Sequence, residues 1–138
     1  MSRVSSATID STDSNYLHHI HAGHFVMDTD EPVKLGGQGE GPAPFDYFLA
    51  SLAACTAITL RMYAQHKGWN LGAFRAELEL TRDDDGKLHV QRTLHSDQPL
   101  SDEQWRRLLE IVANTPVTKA MREGATIESR RGDTTPAS

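Results

Sequence analysis

The sequence predicts an α+β chain in which antiparallel strands flank one long apolar helix and two shorter helices close the fold. Three observations predict it. Residues Tyr47 to Leu60 run without a single charge between Pro44 and Lys67-Gly68. Segments of mixed β-branched, aromatic and polar residues precede that run. A strict alternation of apolar and charged residues follows it.

The first strands are expected over Arg3 to Ile9 and again within Tyr16 to Met27. The turn cluster Ser11-Thr12-Asp13-Ser14-Asn15 and a second turn at Ala22-Gly23 make these an antiparallel meander. Asp28 to Pro44 is a long connection with Gly36, Gly37, Gly39 and Gly41, and it shows no periodicity. The helix starts at Pro44, which suits a first turn, with Asp46 complementing the positive end of the dipole. It stops at Lys67-Gly68, a basic last turn followed by glycine.

On this helix Ala50, Ala53, Ala54 and Ala57 form a stripe of small residues that permits close approach of another backbone. Phe48, Leu52, Cys55, Thr59 and Met62 form the neighbouring face. The uncharged run spans about 21 Å, too short to cross a bilayer, so a helix this apolar is expected inside a fold or a dimer.

Phe74, Ala76, Leu78 and Leu80 alternate with Arg75, Glu77 and Glu79, and Leu88 to His95 alternates more weakly; Asp83-Asp84-Asp85-Gly86 turns between them. Ser101 and Gln104 form a capping box ahead of Trp105, Leu108, Leu109 and Val112. Thr115-Pro116 opens a short helix ending near Gly124, Thr126 to Ser129 is a candidate last strand, and Gly132 to Ser138 a disordered tail. Residues 1–131 are expected to form a single domain.

A chain of 138 residues suits one domain with a core of its own. With 38% hydrophobic and 24% charged residues it belongs to the soluble globular class. The net charge of -5 excludes the basic footprint of a nucleic-acid binder. The one cysteine cannot form an internal disulfide, and Met1 to Asp13 has no apolar signal segment. A cytoplasmic protein with no membrane partner is expected.

Four sites invite chemistry. His18, His19, His21 and His24 crowd one stretch, but no Cys, Asp or Glu stands at ligand spacing, so a solvated strand face is expected and no metal. The Asp83–Asp85 run lacks the closing glutamate of a calcium loop. The glycine-rich loop lacks the Lys-Ser/Thr of a phosphate loop, so it serves to turn the chain. Cys55 remains: either a small core residue or a reactive thiol. Mid-helix it gains nothing from a helix N-terminus, and Arg61 is not on its face.

Asp30-Glu31-Pro32, Gly36-Gly37, Gly41-Pro42-Ala43-Pro44 and Leu49 through Cys55 to Ala64 closely resemble the OsmC-like family, which comprises osmotically inducible protein C and the organic hydroperoxide resistance proteins. Thr115-Pro116-Val117-Thr118 resembles its second motif, which normally begins with cysteine. The resemblance implies an OsmC-like fold: an interlocked α+β homodimer with antiparallel sheets around long central helices. It also implies thiol peroxidase chemistry without metal or organic cofactor. A cysteine matching Cys55 attacks a hydroperoxide and becomes a sulfenic acid, and a second cysteine and a dithiol then restore it.

The chain departs from that pattern at three places. Thr115 replaces the second cysteine, so a thiol reductant from outside the chain must resolve Cys55. No arginine stands between Arg3 and Arg61 to steady the thiolate, leaving His24 and Lys34 as possible cations. Phe45 occupies the position of the partner glutamate, with Asp46 one step away and, nine residues before Cys55, on the opposite side of a regular helix. The expected catalytic residues are Cys55 and Asp46, and the expected substrate contacts are His24, Phe48 and Thr115. The expected function is reduction of organic hydroperoxides in oxidative or osmotic stress. The alternative is a non-catalytic dimer that binds a small apolar ligand near Cys55.

Overall fold

The computed structural model describes residues 1–132. It divides the chain into two compact units, Met1–Ala54 with Arg75–His95, and Cys55–Phe74 with Ser96–Ser138. Residues 133–138, most of the tail expected to be disordered, lie outside the described residues.

The first unit opens with the expected meander, β1 (Ala7–Ser11), β2 (His18–Ala22) and β3 (Phe25–Thr29), paired antiparallel in that order. β1 sits later than the expected Arg3–Ile9. The turn after it fixes its end: Thr12 Oγ1 donates to the Leu17 carbonyl at 2.7 Å, and Ser11 pairs with His18. Ile9, Ile20 and Met27 form an apolar row on one face. The period of two puts Asp10, His19 and Asp28 on the other.

Between β3 and the long helix the chain makes a 3-10 turn at Val33–Leu35 and is then organised around Asp30, only 2% exposed. The Asp30 carboxylate accepts from the backbone N–H groups of Glu31 (2.8 Å), Gln38 (3.2 Å) and Glu40 (3.1 Å). Burial pushes this carboxyl up, but the N–H donors of Glu40, Glu31 and Gln38 outweigh it and hold the group below its ordinary value of 3.8. Gly37 is required here, since a Cβ would lie 1.9 Å from the Glu31 carbonyl oxygen. The connection therefore does more than turn the chain.

The long helix, α1, spans Pro44–Lys67 as the sequence predicts. Asp46 Oδ2 accepts from the Ala43 N–H at 2.9 Å, the reach-back half of a capping box. At the other end Gly68 adopts φ +72°, its N–H bonds the Gln65 carbonyl at 3.1 Å, and the Trp69 N–H bonds the Ala64 carbonyl at 2.8 Å. That is a Schellman stop, and it depends on a residue that accepts positive φ. An 18-residue window of α1 has a mean hydropathy of 1.3, so the helix is long and apolar enough to cross a membrane, although the uncharged run alone is not.

β4 (Phe74–Arg82) and β5 (Leu88–Ser96) form the expected hairpin. The Asp83 carboxylate accepts from the Asp85 and Lys87 N–H groups, both at 2.9 Å, and from His89 Nε2 at 2.7 Å. The His89 bond, followed by the backbone donors, holds the Asp83 carboxyl below its ordinary value. This carboxylate is committed to the turn. Phe74, Ala76, Leu78 and Leu80 of β4, and Leu88, Val90, Arg92, Leu94 and Ser96 of β5, are the half-buried positions.

The core of the second unit contains Leu60 and Ala64 of α1, Leu71, and Leu108 and Val112 of α2 (Asp102–Val112). Full burial of each leucine is worth roughly 1.5–3 kcal/mol, so Leu108→Ala should cost about 2–5 kcal/mol. Ser101 caps α2 in a complete capping box with Gln104. Leu109, expected on the apolar stripe, is 52% exposed, while Ile111 is half-buried. α3 (Pro116–Glu123) ends at Gly124. The candidate strand over Thr126–Ser129 does not form: no ladder partner is present among the described residues, and Ile127 is 86% exposed.

Within one chain α1 is covered on one side only. Leu52, Thr56, Leu60 and Ala64 are buried, but Ile58 is 61% exposed and Met62 64%.

Candidate functional site

Cys55 lies in the middle of α1, half-buried, with its Sγ 3.8 Å from Thr59 Oγ1. That spacing follows from helical geometry, since residues four apart share a face. Ile58 and Met62 stand three and seven residues beyond Cys55 and share that side of the helix. With Ala57, Arg61 and Phe74 they line an open cavity of about 310 Å³. Arg61 Nη2 donates to the Gly72 carbonyl at 2.6 Å, which fixes the one cation of this wall.

Thr115 is in the same unit as Cys55, 2% exposed, at the N-cap of α3. Thr118 Oγ1 donates to the Val112 carbonyl at 3.1 Å, so the 2.6 Å contact between the two hydroxyls is a donation from Thr115. Thr115 Oγ1 in turn accepts from the Thr118 N–H at 3.4 Å. Its hydroxyl thus caps the helix in the position where the resemblance places a second thiol.

The other expected site residues belong to the first unit. His24 is exposed in the two-residue turn between β2 and β3. Phe48 is half-buried and packs edge-to-face on Phe45, ring centroids 6.0 Å apart. Asp46 caps α1 as described, and Tyr47 Oη donates to the Asp28 carbonyl, joining the start of α1 to the end of β3. Phe45 and Asp46, with Pro32, Leu35 and Pro44, line a larger cavity of about 530 Å³. Arg82 is 5.9 Å from the Phe45 ring centroid, a cation–π contact.

Strand register brings groups together that sequence spacing could not. Asp10 and Asp28 flank His19, and His19 Nδ1 lies 2.7 Å from Asp28 Oδ1. No group of three or more His, Cys, Asp or Glu side chains among the described residues is arranged to hold a metal ion.

Asp30, which the sequence offers only as part of the Asp30-Glu31-Pro32 motif, and Arg92 have no role assigned from the sequence. Asp30 builds the loop; its signal was an acidic residue just before a run of glycines. Arg92 is a charged residue at a half-buried strand position, and the alternation of β5 already predicted that placement.

The OsmC-like protein family profile matches residues 37–130, more than half of the chain. The chain belongs to the OsmC-like family. Solved structures share the fold. A candidate osmotic-stress-induced and detoxification-response protein from Psychrobacter arcticus superposes with a TM-score of 0.72 at 21% identity, over 87% of this chain and 88% of that one. An OsmC-like protein from Mycoplasma pneumoniae gives 0.70 at 18% identity, over 88% and 89%. An organic hydroperoxide resistance protein OsmC from Legionella pneumophila gives 0.62 at 21% identity, over 87% and 90%. No curated protein sequence matches the chain.

Proposed function

We propose that this protein is a cytoplasmic, homodimeric thiol peroxidase that reduces organic hydroperoxides through Cys55, with residues 1–131 forming one OsmC-like domain. The observation that carries the reading is the half-buried thiol, inside the family-matched segment, on the same side of α1 as the apolar cavity of Ile58 and Met62. Such a wall suits the organic part of a hydroperoxide better than hydrogen peroxide.

The thiolate sulfur attacks the terminal peroxide oxygen, the O–O bond breaks, and the alkoxide takes a proton and leaves as an alcohol. The sulfur is oxidised by two electrons to a sulfenic acid and the peroxide is reduced to the alcohol. An external thiol then displaces water to form a mixed disulfide, and a second thiol releases Cys55 and departs as a disulfide. Neither metal nor organic cofactor takes part. Asp46 contributes by fixing the start of α1.

The exposed Phe45 (51%), Ile58 (61%) and Met62 (64%) support assembly: a second copy on α1 would bury them and shield the thiol from water. The alkylation rate of the native protein against pH tests the chemistry. A midpoint well below the free-thiol value of about 8.5 supports a reactive thiolate. A midpoint at or above it contradicts the reading. That second result favours a non-catalytic dimer holding a small apolar ligand in the same cavity, which its volume of about 310 Å³ suits.

A further inference from the structure

We infer that the cavity where α1 ends and α2 begins is a second ligand site, one that takes a small aromatic carboxylate. It holds about 270 Å³ and lies wholly within the second unit. That volume is just below the usual range of small-molecule pockets and fits one ring with one acidic group.

The aromatic part of the wall is built by the helix stop. Gly68 ends α1, and the Trp69 N–H then bonds back to the Ala64 carbonyl at 2.8 Å, which returns Trp69 to the last turn. There its ring meets Tyr63 edge-to-face, centroids 5.6 Å apart at 77°. Arg107 Nε donates to Tyr63 Oη at 2.9 Å and its guanidinium lies 5.6 Å from the Tyr63 centroid, so the phenol ring is pinned from α2.

The cationic part carries more positive than negative charge. Lys67, Arg106 and Arg107 face two carboxylates, and both are committed to the arginines. Glu103 is 3.5 Å from Arg106, and Glu110 is 2.6 Å from Arg106 and 2.9 Å from Arg107. Lys67 Nζ has no carboxylate within salt-bridge distance among the described residues. It lies instead 5.8 Å from the Tyr63 centroid, where its charge rests against an aromatic face. On a chain of net charge -5 this is a local surplus of positive charge beside two fixed rings. The complementary ligand has an aromatic face for Trp69 and a carboxylate for Lys67. This site is independent of the chemistry at Cys55.

Titration with benzoate, followed by amide and indole nuclear magnetic resonance, tests the inference. Benzoate should shift the Trp69 indole and the backbone amides of residues 67–69 and 101–107 in a saturable way. Benzamide, with the same ring and no charge, should bind about tenfold more weakly or worse, as expected when one charge–charge contact is lost. Lys67→Gln should weaken benzoate about tenfold, leave benzamide unchanged and keep the wild-type amide shifts of residues remote from the cavity, while Lys67→Arg should restore benzoate binding. Equal affinity for benzoate and benzamide would overturn the inference. So would an unaltered benzoate titration in Lys67→Gln, or shifts that never saturate.

Discussion

Cys55 Sγ and Thr59 Oγ1 lie 3.8 Å apart, one helical turn along α1, so the thiol has a hydroxyl on its own face of the helix. A hydroxyl that donates to sulfur favours the thiolate. Thr59→Val keeps the shape and removes that donor. A neutral hydrogen bond is worth about 0.5–1.5 kcal/mol, and a long one to sulfur falls at the low end. The variant should therefore be alkylated by iodoacetamide about two- to fivefold more slowly near neutral pH. An unchanged rate would show that Thr59 donates nothing to the sulfur.

Thr115 offers a test of the second motif. Thr115→Cys should form an intrachain disulfide with Cys55 on treatment with one equivalent of peroxide, which requires Cα atoms about 4.4–6.8 Å apart. Loss of the capping hydroxyl should cost about 0.5–2 kcal/mol in either case. Peptide mapping decides. Two free thiols, or only intermolecular links, would mean that Thr115 serves α3 alone.

Assembly is tested at the alanine stripe. The protein should sediment as a dimer at micromolar concentration. Ala53→Leu or Ala54→Leu should overpack a close helix contact and destabilise it by about 1–3 kcal/mol. A stable wild-type monomer would remove the support that the exposed Ile58 and Met62 give to a dimer.

Asp30 sets an acid limit on the loop before α1. Its carboxyl is held below 3.8 in the folded protein, so its contribution to stability is fully present above that value and is lost as pH falls through the lower folded value. Asp30→Asn exchanges one acceptor oxygen for an N–H₂ group that faces N–H donors. The variant should melt at a lower temperature than wild type at neutral pH, and the gap should close below about pH 4. Equal melting temperatures at neutral pH would contradict this assignment.

The ends of α1 were legible because local chemistry sets them: Pro44 suits a first turn, and Gly68 accepts the positive φ that the Schellman stop requires. The Ser101–Gln104 capping box and the Asp83 turn were legible for the same reason. Features set by a partner were not. β1 shifted toward Ser11 because its pairing with His18 decides where the ladder ends, and Thr126–Ser129 formed no strand without a neighbour. Which chain covers each face of α1 was not legible, since composition shows that a face must be covered but not by what. At the site, Cys55 and its Thr59 neighbour followed from helical spacing. The Asp10–His19–Asp28 row depends on strand register and could not be read from spacing.

Mass spectrometry of the Cys55 peptide after treatment with an organic hydroperoxide is the most direct test of the central claim. With cumene hydroperoxide alone, Cys55 should gain one oxygen as a sulfenic acid, or two on overoxidation, and with a small thiol present it should appear as a mixed disulfide. The alcohol should be released in step with the loss of free thiol. A Cys55 left unmodified after prolonged exposure, with the hydroperoxide unconsumed, would contradict the account.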